Sequence, residues 1–175
     1  MIVVLDGPEA AGKSTIRDAL VRTLERGPTV HLRQWGPVDS WMDYIDPLQE
    51  DLGRSAQGWF VVWDRGWAAE VVYNELLARG REVPETAMFT QFELPIQRAG
   101  GVMVMVLTDP EVLEDRRRRR AAERAKPDLP VDPTAERERF GRYAAEHEWT
   151  VVDGARDPIE VAETIHTALR IRSMR

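Results

Sequence analysis

Residues Gly7 to Thr15 read Gly-Pro-Glu-Ala-Ala-Gly-Lys-Ser-Thr, directly after the apolar run Ile2-Val3-Val4-Leu5 and before Ile16, Ala19, Leu20, Thr23 and Leu24, which recur at helical spacing. A short buried strand, a glycine-bounded turn and a helix leave the turn's backbone N–H groups unpaired and converging, a geometry that cradles a polyphosphate. Each fixed position has a task. Gly7 and Gly12 permit backbone geometry and close approach that a side chain would block, Lys13 brings positive charge to the β- and γ-phosphates, and the Ser14 hydroxyl is suited to ligating Mg²⁺. The amides of Ala10, Ala11 and Thr15 and the positive end of the helix complete the cradle. Chance produces these fixed positions in roughly one chain of this length in two hundred, and the flanking strand and helix make accident rarer. A bound nucleoside triphosphate is the first expectation.

Composition bounds the rest. The 175 residues, 43% hydrophobic and 31% charged, fit a single domain over 1–175 with a real core. A formal charge of −6 supplies no overall basic field to gather nucleic acid. The chain has no cysteine, which excludes disulfides, thiolate catalysis and cysteine-ligated metals, and His31, His147 and His166 fall in no metal-binding spacing. Asp6 interrupts the first apolar run after five residues. Neither a signal peptide nor a membrane span is expected there, and the cytoplasm is the expected location.

Five short apolar runs, Ile2–Leu5, Thr29–Arg33, Phe60–Trp63, Val102–Leu107 and Thr150–Val152, alternate with stretches suited to helices. That alternation predicts an α/β fold with a five-stranded parallel sheet buried on both faces and ligands beyond the carboxyl ends of its strands. Asp-Pro at 46–47, 109–110, 132–133 and 157–158 predicts four helix starts, the last with Glu160 in capping-box position. Residues 121–130 are too polar and proline-broken for core and read as a mobile loop.

Two charged constellations stand at strand ends or helix starts. Asp64-Arg65 follows the run Phe60–Trp63 and supplies a Mg²⁺-organising carboxylate and a guanidinium able to grip a phosphate bidentately. Arg116 to Arg120 are five consecutive arginines, of which Arg116, Arg119 and Arg120 share a helical face. Placed before the polar loop, they suit a lid, about 116–132, that closes over substrates and expels water. Of the aromatic residues, Trp63 reads as core, whereas Trp35, Trp41 and Tyr44 are candidates for the acceptor side.

The order of motifs resembles the thymidylate kinase family, within the nucleoside and nucleotide kinases. The similarity runs through Asp6 to Thr15, Arg33 with Gly36, Asp64-Arg65 with Tyr73 nine residues after the aspartate, Leu107 to Val112 leading to Arg116, Arg118 and Arg120, and Val151 to Ala155. The resemblance implies a three-layer P-loop kinase fold, Mg·ATP as donor and a nucleoside 5′-monophosphate as acceptor. It places Lys13, Asp64, Arg65, Arg116 and Arg120 in catalysis, Arg116 also at the donor, Ser14 and Asp64 at the metal, and Glu9, Arg33, Arg65 and Tyr73 at the acceptor, where the aromatic reading adds Trp35. With Ala10 rather than arginine beside Glu9, the chain is similar to the subtype whose catalytic cation comes from the lid.

The departures lie on the acceptor side, about 34–58. Gln34 and Trp35 replace the family's Glu-Pro, and no helix there matches the one that reads the base. Three functions therefore stay open, in order of expectation. They are transfer to a nucleoside monophosphate, transfer to a hydroxyl of a nucleoside, modified base or polynucleotide with Asp64 as general base, and an NTPase switch without small-molecule acceptor. A small-molecule partner is favoured over nucleic acid, and a homodimer is compatible with each.

Overall fold

The computed structural model describes residues 1–24, 27–36, 38, 40–80, 86–124 and 130–173. Residues 125–129 of the expected polar loop lie outside them. Five strands, β1 (Ile2–Asp6), β2 (Val30–Gln34), β3 (Phe60–Asp64), β4 (Val102–Leu107) and β5 (Thr150–Asp153), pair in parallel in the order β2-β3-β1-β4-β5. Every expected strand is found, with bounds within one residue. Four strands run one residue further than their apolar stretch because Asp6, Gln34, Asp64 and Asp153 still pair through the backbone.

The apolar runs are continuous because both faces of the sheet are covered. On one face Val3, Leu5, Val62, Val104 and Val106 pack against Ile16 and Leu20 of α1 (Lys13–Arg22) and Ile165 and Leu169 of α7 (Pro158–Ser173). On the other, Val4, Trp63, Met103 and Met105 meet Trp67 and Tyr73 of α3 (Trp67–Leu76), Phe92 and Ile96 of α4 (Thr86–Arg98) and Phe140 and Tyr143 of α6 (Pro133–Glu146). Alternate residues of one strand thus serve two cores. Among the described residues no helix is long and apolar enough to cross a membrane.

Two of the Asp-Pro signals act as side-chain caps. Asp132 accepts from Ala135 N at 2.9 Å, and Asp157 accepts from Ile159 N at 2.8 Å. At the start of α5 (Pro110–Arg124) it is the Asp109 carbonyl that accepts, from Leu113 N at 3.0 Å. The Asp46-Pro47 signal is corrected. The chain enters a short 3₁₀ helix, Trp41–Tyr44, under a capping box of Ser40 and Asp43, so Asp46 falls in the first turn of α2 (Ile45–Ala56) instead of before it. Glu160 turns to Arg156 at 2.9 Å.

Asp51 of α2 is fully buried and fastens this helix to the sheet. Its carboxylate accepts from Arg33 Nε at 2.5 Å, Arg54 at 2.5 Å and Trp63 Nε1 at 2.8 Å. Burial alone would raise its pKa, but these donors hold it below the ordinary carboxylate value. Its contribution is therefore present above that ordinary value and lost in acid. Asp51→Ala leaves two guanidinium groups and an indole N–H short of their acceptor, and a loss of about 3 kcal/mol is expected by urea unfolding at pH 7.

Candidate phosphate-binding and transfer site

The strand order reverses at β1, and the ligand crevice of such a sheet opens beyond the carboxyl ends at that point. Leu5 pairs with Asp64 there, so the turn after β1 and the Asp64-Arg65 turn lie side by side. Gly7 has φ 140°, and a Cβ on it would stand 2.2 Å from Val106 O. The position admits only glycine. The loop's far end is held by Thr108 Oγ1, which donates to Ala11 O at 2.9 Å, and by the close approach of Gly154, where a Cβ would fall 1.8 Å from the same oxygen.

An open, polar cleft lies over the loop, lined by residues 9–15 together with Gln34, Asp64, Arg65 and Arg120. Lys13 Nζ folds onto the loop, donating to Gly7 O and Pro8 O at 2.6 Å each. Ser14 Oγ donates to Asp64 Oδ2 at 3.2 Å, and Arg17 from α1 holds the same oxygen at 2.6 Å. Arg65 lines this cleft and a smaller cavity bounded by Gly7, Glu9, Lys13, Ala69 and Tyr73.

The front of the loop is tied from behind. Gly7 N donates to Asp6 at 2.8 Å and Glu9 N to Tyr73 Oη at 3.0 Å. Asp6, wholly buried, also accepts from Gly66 N at 3.1 Å and Ala69 N at 3.0 Å, so one carboxylate joins the phosphate loop to the turn that carries Arg65. Burial pushes its pKa up to about 6, against the pull of Lys13 and the backbone donors. Because the folded-state value is raised, Asp6's contribution is fully present below its ordinary pKa and is lost as pH rises through about 6. From pH 4 to pH 7 the wild type should lose about 2 kcal/mol relative to Asp6→Asn. Urea unfolding of both proteins at pH 4, 5.5 and 7 measures this, and a pH-independent difference rejects it.

The arginine run divides its labour. Arg120 reaches the cleft, 3.9 Å from Glu9 Oε1. Arg118 and Arg119 pair with Glu114 and Asp115 on the solvent side at 2.8 Å each. Arg116, expected at the donor's phosphates, instead donates to Ala10 O, Ala11 O and Gly154 O at 3.1 to 3.3 Å and braces the loop against the turn after β5. Arg117 turns inward to Glu136. Neither Arg117 nor Glu136 was singled out from the sequence, nor was Arg17.

The residues expected on the acceptor side are placed as follows. Arg33 is committed to Asp51 and Glu50, and Gln34, the next residue, lines the cleft instead. Trp35, half-buried, packs on an aromatic cluster, with ring centroids 4.5 Å from Tyr44 and 5.2 Å from Trp63. Tyr44 is fully buried and donates to Gly66 O, and Trp41 packs edge-on against Phe89. Tyr73 lines the small cavity, but its hydroxyl is engaged by Glu9 N and Glu136.

No family model and no curated protein matches this sequence. Its fold has solved counterparts. The Bacillus subtilis YorR protein, solved in complex with phosphorylated GDP, is 16% identical at a TM-score of 0.73, over 100% of this chain and 99% of that one. Deoxyadenosine kinase from M. mycoides with bound dCTP is 13% identical at 0.56, over 96% of this chain and 100% of that one. The same enzyme with dCMP and a flexible dCDP gives 15% and 0.57, over 98% and 100%. The fold is thus the α/β fold of P-loop kinases, with a five-stranded parallel sheet.

Proposed function

We propose that this chain is a cytoplasmic Mg·ATP-dependent kinase that phosphorylates a nucleoside 5′-monophosphate, with thymidylate the first acceptor to try. What supports the reading is the meeting of Lys13, Arg65 and Arg120 on one cleft over the phosphate loop, with Ser14 and Asp64 at its edge. An acceptor phosphate oxygen attacks the γ-phosphorus, the bond to the β-bridging oxygen breaks, and ADP leaves. Lys13 and the open amides of the loop hold the donor, Arg65 grips the acceptor phosphate, and Arg120 offsets charge on the transferred group. Ser14 Oγ and Asp64 Oδ2, 3.2 Å apart, are hard oxygens of the kind Mg²⁺ takes beside phosphate and water. When bound, the ion supplies charge neutralisation between the phosphates.

A phosphate acceptor is already anionic and needs no base, which suits a carboxylate occupied by Arg17 and Ser14. A second reading, transfer to a nucleoside hydroxyl with Asp64 as base, draws on the likeness to deoxyadenosine kinase. Incubation with Mg·ATP and a panel of nucleosides, nucleoside monophosphates and DNA, followed by product masses, decides between them. A phosphate added to a monophosphate supports the first reading, one added to a nucleoside or DNA the second, and ATP loss without any acceptor rejects both.

A further inference from the structure

Behind the loop lies a second carboxylate that the proposed transfer leaves without a part. Glu136, in the first turn of α6, is fully buried and receives hydrogen bonds from Tyr73 Oη, from Arg117 and, at 3.4 Å, from Glu9 N of the phosphate loop. Arg117, 4% exposed, also donates at 3.5 Å to Glu9 O and at 3.4 Å to Val131 O. Carboxylate and guanidinium thus hold the Glu9 peptide from both ends. The pair joins three elements, the loop, α5 and α6.

Stability alone gives no reason for this arrangement. A buried ion pair is commonly matched or bettered by well-packed apolar side chains of the same volume, and Arg117 Nε is buried without a hydrogen-bond partner. What an apolar pair lacks is direction. Arg117 and Arg120 are three residues apart on α5 and so lie on neighbouring parts of one face. Fixing the first against the loop fixes where the second stands, and Arg120 reaches the cleft beside Glu9.

We propose that Glu136 is a positioning residue that registers α5 on the phosphate loop through Arg117 and Glu9, and thereby sets Arg120 at the mouth of the cleft. This rests on the reading of the cleft as a triphosphate site. It does not depend on which acceptor the protein uses.

The test is a double-mutant cycle of Glu136→Gln and Arg120→Ala, read by calorimetry as affinity for inorganic tripolyphosphate with Mg²⁺. Each single change is expected to weaken binding about tenfold, and Glu136→Gln should add less than about twofold once Arg120 is gone. A further tenfold loss in the Arg120→Ala background means Glu136 acts independently of Arg120 and overturns the inference. Should Glu136→Gln fold poorly, the Glu136→Gln/Arg117→Gln pair, which leaves no buried charge unpaired, takes its place in the same cycle with the same expected coupling. Wild-type protein that fails to bind tripolyphosphate overturns the triphosphate reading itself and this inference with it. Binding combined with independent effects overturns the inference alone.

Discussion

Lys13→Met is expected to lower turnover about a thousandfold and to weaken Mg·ATP binding at the same time. The side chain is 7% exposed and curls onto Gly7 O and Pro8 O, so its charge is stored against the loop at the place where phosphates would lie. Methionine keeps most of the stem and loses the charge. Arginine should not rescue activity, because a planar fork cannot occupy a space shaped for a compact ammonium. Burial, opposed by Asp6, brings the lysine pKa down to about 8. The kcat/KM profile of the free enzyme should therefore fall above about pH 8, as the ammonium loses its proton. Steady-state kinetics across pH 6 to 9.5 and a direct ATP titration check both statements. A methionine variant that binds Mg·ATP within about threefold of wild type would remove Lys13 from the donor site.

The fold and the loop were legible in the sequence because both are written in short-range patterns. Continuous apolar runs are what a doubly covered parallel sheet requires, and the loop's requirements fall on adjacent residues, as the contact of Gly7 with Val106 O illustrates. The contacts that were not legible depend on partners far along the chain. Arg33 carried no mark of Asp51 eighteen residues on, and nothing before folding told that Arg116 would turn to backbone carbonyls more than a hundred residues back. Nothing in the sequence told that Trp35 would pack on Tyr44 and Trp63. Glu136 did leave a signal. It lies four, seven and eight residues before Phe140, Tyr143 and Ala144, on the apolar stripe of α6, where a carboxylate must find buried donors.

Asp6 shows how one residue carries two readings. In the sequence it ended an apolar run. In the fold its carboxylate joins Gly7 to Gly66 and Ala69, so the glycine-bounded loop and the turn bearing Arg65 share one anchor. The two turns are thereby fixed relative to one another by backbone N–H groups that share one short, buried side chain, which holds geometry more tightly than a long side chain does.

Arg65→Gly is expected to separate activity from stability. Arg65 is held at φ 77°, a left-handed conformation that costs a non-glycine residue roughly 1 kcal/mol, and its N–H donates to Leu5 O at 2.9 Å. The strain aims the side chain at both cavities, where it is placed to grip an acceptor phosphate. Glycine relieves the strain and removes the guanidinium, so the variant should unfold at a slightly higher temperature. Its turnover should fall about a thousandfold, with Mg·ATP affinity within about threefold of wild type. Lysine should recover little, because one ammonium does not reproduce a bidentate grip. If Arg65 instead served as a structural ion pair at a strand end, glycine would lower the unfolding temperature and leave turnover near normal. Thermal unfolding and single-turnover kinetics on the same two variants separate the alternatives, since the two roles move the pair of readouts in opposite directions.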